Sequence, residues 1–295
     1  MSSDGKKPDT LNTDEEKVNE FKRNDYEKEN YVRVQDYTGE GYTLRDSKEK
    51  NREIAIQHQD EVEKAVKEFF LTNYHLNVEV NNIVAAVDGV AVHVESIENP
   101  NIHTFAIVPV DIKSKIVHTN QTWSLEGEVE KAIKGSLYVK ANEKEFANLN
   151  RYLNSIEQKY PVTTVRLESI KNTSIRGYNT QHYFIAPAGK TFNKLFIEYM
   201  NNPSLSPDSI VEFFKLNPLD PRYITISIEF FMENENEEPS IDILDEIIHD
   251  LENMSNIPKG AYSIYLHDNY IDKQKSIGYK SNTLERSHPN QLIKK

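Results

Sequence analysis

The apolar residues of this chain fall into two kinds of repeat, one with helical spacing and one that alternates along strands. The clearest helical repeat predicts a helix over residues 52–74, where apolar positions recur three and four residues apart and charged side chains fill the positions between them. Its apolar stripe consists of Val62, Ala65, Val66, Phe69 and Phe70. We expect this stripe to cover a sheet formed by the segments that follow.

A β-hairpin is predicted directly after this helix. Residues 77–87 and 90–97 flank the dipeptide Asp88-Gly89, which is typical of a type I′ turn because both positions of that turn need positive φ. In the second of these strands, valines alternate with other residue types. We therefore expect one face of the sheet to be buried and the other to be exposed to water.

The second half of the chain begins with another amphipathic helix, for which Asn142 is the expected N-cap and Glu145 the partner in a capping box. The most regular alternation in the chain spans residues 223–232 and predicts a strand. Serine followed by proline at residues 206–207 predicts the start of a further helix. The remaining predicted elements are strands at 103–110, 162–170, 181–186 and 261–267, and helices at 126–134, 191–201, 207–215 and 241–254.

Helices interspersed with hairpins in this way indicate an α+β fold. We expect two lobes, each with antiparallel strands packed against helices, after a disordered N-terminal tether. The predicted divisions are a flexible charged tether (residues 1–30), a first α+β lobe (31–140), a second α+β lobe (141–270) and a basic C-terminal tail (271–295).

The tether is predicted from its composition. Residues 1–30 contain fifteen charged side chains and only five apolar ones. So few apolar groups cannot offset the conformational entropy of ordering the segment, which is roughly 1–2 kcal/mol per residue for the backbone alone. We therefore expect this part of the chain to be mobile.

The charge distribution excludes one class of partner. The formal net charge is −12, whereas binding to nucleic acid needs a cluster of Lys and Arg side chains that neutralise phosphates. We predict no nucleic-acid partner.

Ten acidic residues lie between Glu229 and Glu252, while residues 271–295 carry six basic groups against two acidic ones. The basic tail could therefore lie across an acidic surface of this chain or of a neighbour.

The sequence also restricts redox chemistry and cellular location. There are no cysteines, which excludes disulfides, thiolate metal sites and thiol nucleophiles in this chain. No run of eighteen apolar residues exists, and the N-terminus has no apolar segment of the kind found in a signal peptide. The protein is therefore either cytoplasmic or the chain starts after a removed export signal.

Two short motifs match known sites only in part. Gly189-Lys190-Thr191 resembles the end of a phosphate-binding loop, but Phe184 stands where that loop needs another glycine. Glu246 and His249 have the spacing of half a carboxylate-bridged metal site, but no second copy of the motif exists. We predict no metal, no cofactor and no catalytic residue from these motifs.

Three histidines are the remaining candidates for a binding site. His93 and His103 lie on consecutive predicted strands, where two imidazoles could meet across the sheet, and His267 precedes Asp268. Imidazole groups act as metal ligands or general bases, but histidines on the exposed face of a sheet are more often ordinary surface residues. A structure in which two of these histidines converge with a carboxylate would favour a hydrolase.

Several stretches of the chain resemble a family of uncharacterised surface lipoproteins of low-GC Gram-positive bacteria, a domain of unknown function. The stretches are YVRVQDYTGEGYTL at 31–44, AIKGSLYV at 132–139, NPLDP at 217–221 and SHPNQLIKK at 287–295. The resemblance implies an extracytoplasmic protein anchored to the cell membrane by a lipid on an upstream cysteine, with the charged tether as spacer. This chain lacks that cysteine, and the family brings no catalytic residues.

Three classes of function remain open. The leading hypothesis is a non-enzymatic extracytoplasmic lipoprotein that binds a peptide, a cell-wall component or a partner protein. An alternative is a surface hydrolase whose site is built from scattered carboxylates and histidines. The third is a partner-neutralising protein that uses its acidic band at residues 229–252 to dock a basic partner, with binding that weakens at high salt.

Overall fold

The structure is a computed structural model that describes residues 24–98 and 101–295. Its helices are α1 (Asp25–Asn30), α2 (Glu49–Gln57), α3 (Gln59–Tyr74), α4 (Glu128–Ala141), α5 (Glu143–Lys159), α6 (Leu167–Thr173), α7 (Gly189–Asn201), α8 (Pro207–Leu216) and α9 (Ile241–Asn253). Its strands are β1 (Tyr31–Arg33), β2 (Val78–Ala85), β3 (Gly89–Ser96), β4 (His103–Asp111), β5 (Ile116–Val117), β6 (Val162–Thr163), β7 (Tyr178–Asn179), β8 (Tyr183–Pro187), β9 (Ile224–Met232), β10 (Gly260–His267), β11 (Tyr270–Asp272), β12 (Leu284–Arg286) and β13 (Leu292–Lys294). The predicted α+β class is confirmed.

The first sheet is antiparallel, with strand order β2-β3-β4-β5. Helices α2 and α3 pack on the face that carries the valines of β3, as the apolar stripe predicts. The other face is also covered, because α6 packs on β2 and β3 and the ring of Tyr42 lies against the ring of His93. The prediction that this second face is exposed to water is therefore wrong. The alternation of valines along β3 indicates the face that packs against α2 and α3, but it does not indicate that the other face is buried as well.

The predicted hairpin is present, but its turn is different from the expected one. Neither Asp88 nor Gly89 has a positive φ, so the turn is not type I′. Gly89 is needed here for another reason. A Cβ at this position would lie 2.3 Å from the carbonyl oxygen of Val108 on β4, so only glycine allows the neighbouring backbone to approach this closely.

Two predicted elements change type or length. The helix expected over 52–74 is divided into α2 and α3 at His58. The segment 162–170, expected to be a strand, contains only the short β6 before α6 begins at Leu167. Helix α6 buries Ser169, Ile170 and Thr173, a spacing that fits one helical face more closely than a strand.

Capping explains two further helix boundaries. The hydroxyl of Ser206 accepts a hydrogen bond from the backbone N–H of Ser209 at 3.1 Å, which confirms the predicted start of α8. The predicted capping box at Asn142 does not form. Its side-chain amide instead donates to the carbonyl of Tyr138 at 2.8 Å, so that Asn142 closes α4 and leaves α5 without a side-chain cap.

The second sheet is mixed, with the main strand order β12-β10-β9-β8-β7. Strands β9 and β10 are parallel and are connected by α9, whereas the other pairings are antiparallel. The region predicted as a basic tail contributes β12 and β13 to this sheet. Within it, Arg286 forms an ion pair with Glu252 at 2.6 Å, and Lys294 donates to carbonyl groups at the end of α9.

Residues of both sheets share one contiguous hydrophobic core. A smaller second cluster consists of Val34, Tyr37, Phe231 and Ile271. It lies where β1 pairs with β11, which joins the segment after α1 to the C-terminal part of the chain. The division into lobes at residues 140 and 270 stays a prediction.

Most of the predicted tether, residues 1–23, lies outside the described residues. Its last part forms α1, where Asn24 and Glu27 make a reciprocal capping box. The hydroxyl of Tyr26 donates to the buried carboxylate of Asp272 at 2.8 Å. Among the described residues, no helix combines the length and the apolar character that a membrane crossing requires.

We expect the two neighbouring phenylalanines of α3 to differ in their effect on stability. Phe70 is fully buried, so that Phe70→Ala should lower the free energy of unfolding by about 3–5 kcal/mol. Phe69 is only partly buried, and Phe69→Ala should cost clearly less. Urea denaturation measures both, with the exposed Leu71→Ala as control. Equal losses for Phe69→Ala and Phe70→Ala would contradict the placement of the stripe.

Candidate functional site

His93 lies inside the protein. It is 1% exposed and is held between the rings of Tyr42 and Phe105, each with its centroid 5.7 Å away. Among the described residues, none makes a hydrogen bond of good geometry to either of its ring nitrogens. Burial lowers the pKa of His93 to about 4, against a smaller opposing effect from the backbone of Ser174. His93 is therefore neutral at pH 7.

His103 is buried nearby but does not face His93. The register of β3 and β4 pairs His93 with Phe105 and His103 with Glu95, so that the two imidazoles are diagonal neighbours. Glu95 is itself engaged by Lys171 at 2.8 Å. Burial lowers the pKa of His103, Glu95 opposes this shift and Lys171 adds to it.

His267 belongs to a different environment on the second sheet. Its Nδ1 lies 2.9 Å from the hydroxyl of Thr283, and its ring packs against Phe231 and Tyr265. Burial, together with the positive charges of Lys280 and Arg176, lowers its pKa to about 3. The three candidate histidines are thus buried in packed surroundings rather than lying on open surface.

The partial motifs of the sequence occupy ordinary structural positions. Glu246 bonds to Lys159 and Tyr160, whereas His249 on the same helix is exposed. Gly189 begins α7 with a positive φ. Within residues 24–98 and 101–295, no group of three or more histidine, aspartate or glutamate side chains is arranged to hold a metal ion.

The main concave feature near these groups is a cavity of about 210 Å³ beside the smaller hydrophobic cluster. One wall is α6 with the segment 174–176 that follows it, and another wall is the turn 275–278 after β11. The β7–β8 connection and the outer face of β9 complete the cavity. A hydrogen bond of 2.8 Å between the hydroxyls of Thr173 and Ser276 joins the two walls.

An ion pair lies inside this cavity. Nη1 of Arg176 donates to both carboxylate oxygens of Glu229, at 2.9 and 3.2 Å. The side chains are 30% and 23% exposed, so that both remain accessible from the cavity. The guanidinium also packs 5.2 Å from the ring centroid of Phe184, which fixes its plane.

Lys275 and His182, which also line the cavity, have carboxylate partners as well. Nε2 of His182 lies 2.9 Å from a carboxylate oxygen of Glu157, and Lys275 lies 3.0 Å from Asp272. Asp272 in turn accepts hydrogen bonds from backbone amides of the turn and from Tyr26. The charged groups of the cavity are therefore held in fixed positions.

The mouth of the cavity is apolar. Ile175 and Ile277 line it from its two walls and are 46% and 36% exposed. A single exposed aliphatic residue needs no explanation, but two that face one concave site provide an apolar contact surface for a ligand.

A broader groove lies between α7 and α8, with a volume of about 920 Å³. Its exposed apolar residues include Ile197 and Leu216, and its charged residues of both signs include Lys194 and Glu198. Its ion pair, between Lys215 and Glu212 at 3.1 Å, joins two exposed side chains one turn apart on α8, unlike the partly buried pair of Arg176 and Glu229.

Sequence reasoning missed the cavity. Glu229 was visible only as one member of the acidic band and as a polar position in the alternation of β9, while Arg176 follows a segment expected to be a strand. The two residues are 53 positions apart and belong to different elements. The sequence shows only that Arg176 and Glu229 are charged residues in or beside strongly apolar strands. It does not show that the two side chains form an ion pair.

A comparison with solved structures shows which protein shares this fold. The architecture is similar to the crystal structure of a DUF1672 family protein from Staphylococcus aureus subsp. aureus Mu50, with a TM-score of 0.70 and 20% sequence identity. The similarity covers 87% of this chain and 96% of that chain. It shows a shared fold.

The family follows from the sequence itself. The family described as "Protein of unknown function (DUF1672)" matches residues 24–294, and this chain therefore belongs to it. None of the curated proteins matches the chain. The predicted membership of a family of unknown function is confirmed, and the structurally similar protein comes from a low-GC Gram-positive bacterium.

The buried histidines predict a loss of stability in acid. Their pKa values, about 4 for His93 and about 3 for His267, lie below the value of about 6.5 in the unfolded chain. Their contribution is therefore complete above about pH 6.5 and is lost as the pH falls toward 4, where the unfolded chain binds protons that the folded chain does not. Each such proton changes the free energy of unfolding by about 1.4 kcal/mol per pH unit.

Urea denaturation between pH 7 and 4.5 measures this loss. The variant His93→Gln should show a slope against pH that is smaller by about one proton than that of the unaltered chain. The exposed His249→Gln is the matched control and should leave the slope unchanged. An unaltered slope in His93→Gln would show that His93 is protonated in the folded protein.

Proposed function

We propose that this protein is a non-enzymatic binding protein and that the cavity between Arg176 and Ile277 is its ligand site. The observation that carries the proposal is the combination of an accessible ion pair inside the cavity with two exposed isoleucines at its mouth. Ligand sites commonly combine apolar walls with a few fixed polar groups that orient the ligand. At about 210 Å³ the cavity is below the roughly 300–1,000 Å³ typical of drug-sized ligands, so its ligand, or the part of it that enters, is small.

The arrangement supports binding rather than hydrolysis. General acid–base or nucleophilic catalysis needs a base that touches the group it activates. Nε2 of His182, the imidazole that lines the cavity, contacts Glu157, and among the described residues the hydroxyls that line the cavity hydrogen-bond to partners other than this imidazole. Charged groups held by partners of opposite sign are suited to recognition, because their positions are fixed before the ligand arrives.

The acidic band supports binding at the cavity more than docking through the band itself. Several of its carboxylates are already paired with basic side chains of this chain, which leaves less uncompensated charge for a basic partner. These pairs are Glu229 with Arg176, Glu235 with Arg33, Glu246 with Lys159, and Glu252 with Arg286.

The absence of cysteine provides a direct test of the cavity. In an Ile277→Cys variant the only thiol stands at the cavity mouth, and its rate of modification by a maleimide can be followed by mass spectrometry. We expect at least one compound among single amino acids, small sugars and short peptides to slow this rate. The matched variant Ile197→Cys, in the groove beside α7, should react at an unchanged rate.

Two results would contradict the proposed site. The first is that none of these compounds slows the reaction at residue 277. The second is that each of them slows the reactions at residues 277 and 197 equally, which would indicate non-specific adsorption.

We also propose that the natural precursor is exported and anchored to the outer side of the cell membrane. This proposal rests on the sequence resemblance, which implies a lipid on a cysteine upstream of this chain, and on the charged composition of residues 1–30. The anchor would hold the ligand site outside the cytoplasm, where peptides and cell-wall components are available.

Detergent phase partitioning tests the anchor. The full precursor, expressed in a Gram-positive host, should enter the detergent phase of Triton X-114, and replacing its upstream cysteine by alanine should move it to the aqueous phase. A precursor that stays in the aqueous phase with its cysteine intact would contradict lipid anchoring.

A further inference from the structure

We infer that the cavity binds a zwitterion, specifically an α-amino acid with an aliphatic side chain. The inference rests on the proposed function, because it assigns a ligand class to the same cavity. The α-carboxylate would contact Arg176, the α-ammonium would contact Glu229, and the side chain would lie against Ile175 and Ile277.

The charge balance of the cavity favours a ligand with no net charge. The lysine and arginine side chains that line it have carboxylate partners, Arg176 with Glu229 and Lys275 with Asp272, and His182 is hydrogen-bonded to Glu157. A singly charged ligand would bring an uncompensated charge into a partly buried site, which is costly. A zwitterion brings both charges and leaves the balance unchanged.

The central ion pair also has unused hydrogen-bonding capacity. A guanidinium has five N–H donors, and within the described residues Arg176 donates through Nη1 alone, to Glu229. The remaining donors can bind a carboxylate through two parallel hydrogen bonds. The carboxylate of Glu229 retains lone pairs for an ammonium group, because an ionised carboxylate accepts about four hydrogen bonds.

Size and polarity then restrict the rest of the ligand. The volume of about 210 Å³ corresponds to about seven water molecules at about 30 Å³ each. This is enough for a single amino acid but too small for an extended peptide inside the cavity. The two isoleucines at the mouth provide an apolar contact for an aliphatic side chain, and the Thr173–Ser276 hydrogen bond keeps the walls that carry them together.

Leucine and its blocked derivatives test the inference directly. Isothermal titration calorimetry measures the affinity, and the methyl signals of isoleucines in ¹³C-labelled protein locate the binding. We expect leucine to shift the signals of Ile175 and Ile277 but not that of Ile197, which lies on α7 in the other groove. N-acetylleucine lacks the ammonium group and leucinamide lacks the carboxylate, so each should bind about tenfold more weakly or worse.

A double variant tests the contribution of the ion pair. Arg176→Gln with Glu229→Gln removes both charges together and so leaves no unpaired charge that could destabilise the fold. The affinity of this variant for leucine should fall about tenfold or more. An unchanged melting transition would show that the variant is folded. The matched control is Arg52→Gln with Glu49→Gln, which removes an exposed ion pair on α2 and should bind leucine normally.

The outcomes separate this inference from the proposed function. Equal affinity for leucine and its two blocked derivatives, or normal leucine binding in the Arg176/Glu229 double variant, would overturn the zwitterion. If leucine does not bind but a sugar or a peptide protects the thiol of the Ile277→Cys variant from the maleimide, the proposed site stands and the inferred ligand class is wrong. If no compound protects that thiol, both fail.

Discussion

Helix α4 is the element on which the arrangement of the two sheets depends. Half of its residues are buried, and it packs against β4 of the first sheet and against β7 and β8 of the second. Gly135 makes this packing possible, because a Cβ there would lie 2.6 Å from the Cβ of Tyr178. The hydroxyl of Tyr138 adds a hydrogen bond of 2.7 Å to the carbonyl of Lys259. A helix buried on several sides in this way ties both sheets into one continuous core.

The second covering layer of the first sheet follows from the same compact arrangement. Because α6 and Tyr42 lie on the face that alternation leaves polar, His93 is enclosed and neutral. The segment that leaves α6 then contributes Ser174 and Arg176 to the cavity. One short helix therefore seals one sheet and provides a wall of the cavity beside the other.

The sequence pattern predicted correctly those elements that depend on neighbouring residues. The stripe of α3, the alternation of β9 and the serine cap of α8 all come from neighbouring residues, and each is present. The capping box at Asn142 fails for a local reason, its hydrogen bond to Tyr138, whereas two other failures depend on distant contacts. The turn at Gly89 is governed by the backbone of β4, and the burial of His93 is governed by a helix about eighty residues further along the chain. The candidate site was missed for the same reason, since Arg176 and Glu229 meet only after α6 and β9 have been placed.

Asp272 gives the cavity a mechanical connection to the beginning of the described chain. Its buried carboxylate accepts hydrogen bonds from the hydroxyl of Tyr26 in α1 and from the backbone amides of Gln274 and Lys275 beside the cavity. Strand β1, which follows α1 directly, pairs with β11, in which Asp272 is the last residue. Tension applied to the chain ahead of residue 24 would therefore act on α1 and β1 first and reach the turn 275–278 through Asp272 and through the pairing of β1 with β11. The proposed ligand site is therefore mechanically connected to the segment by which the proposed anchor would hold the protein.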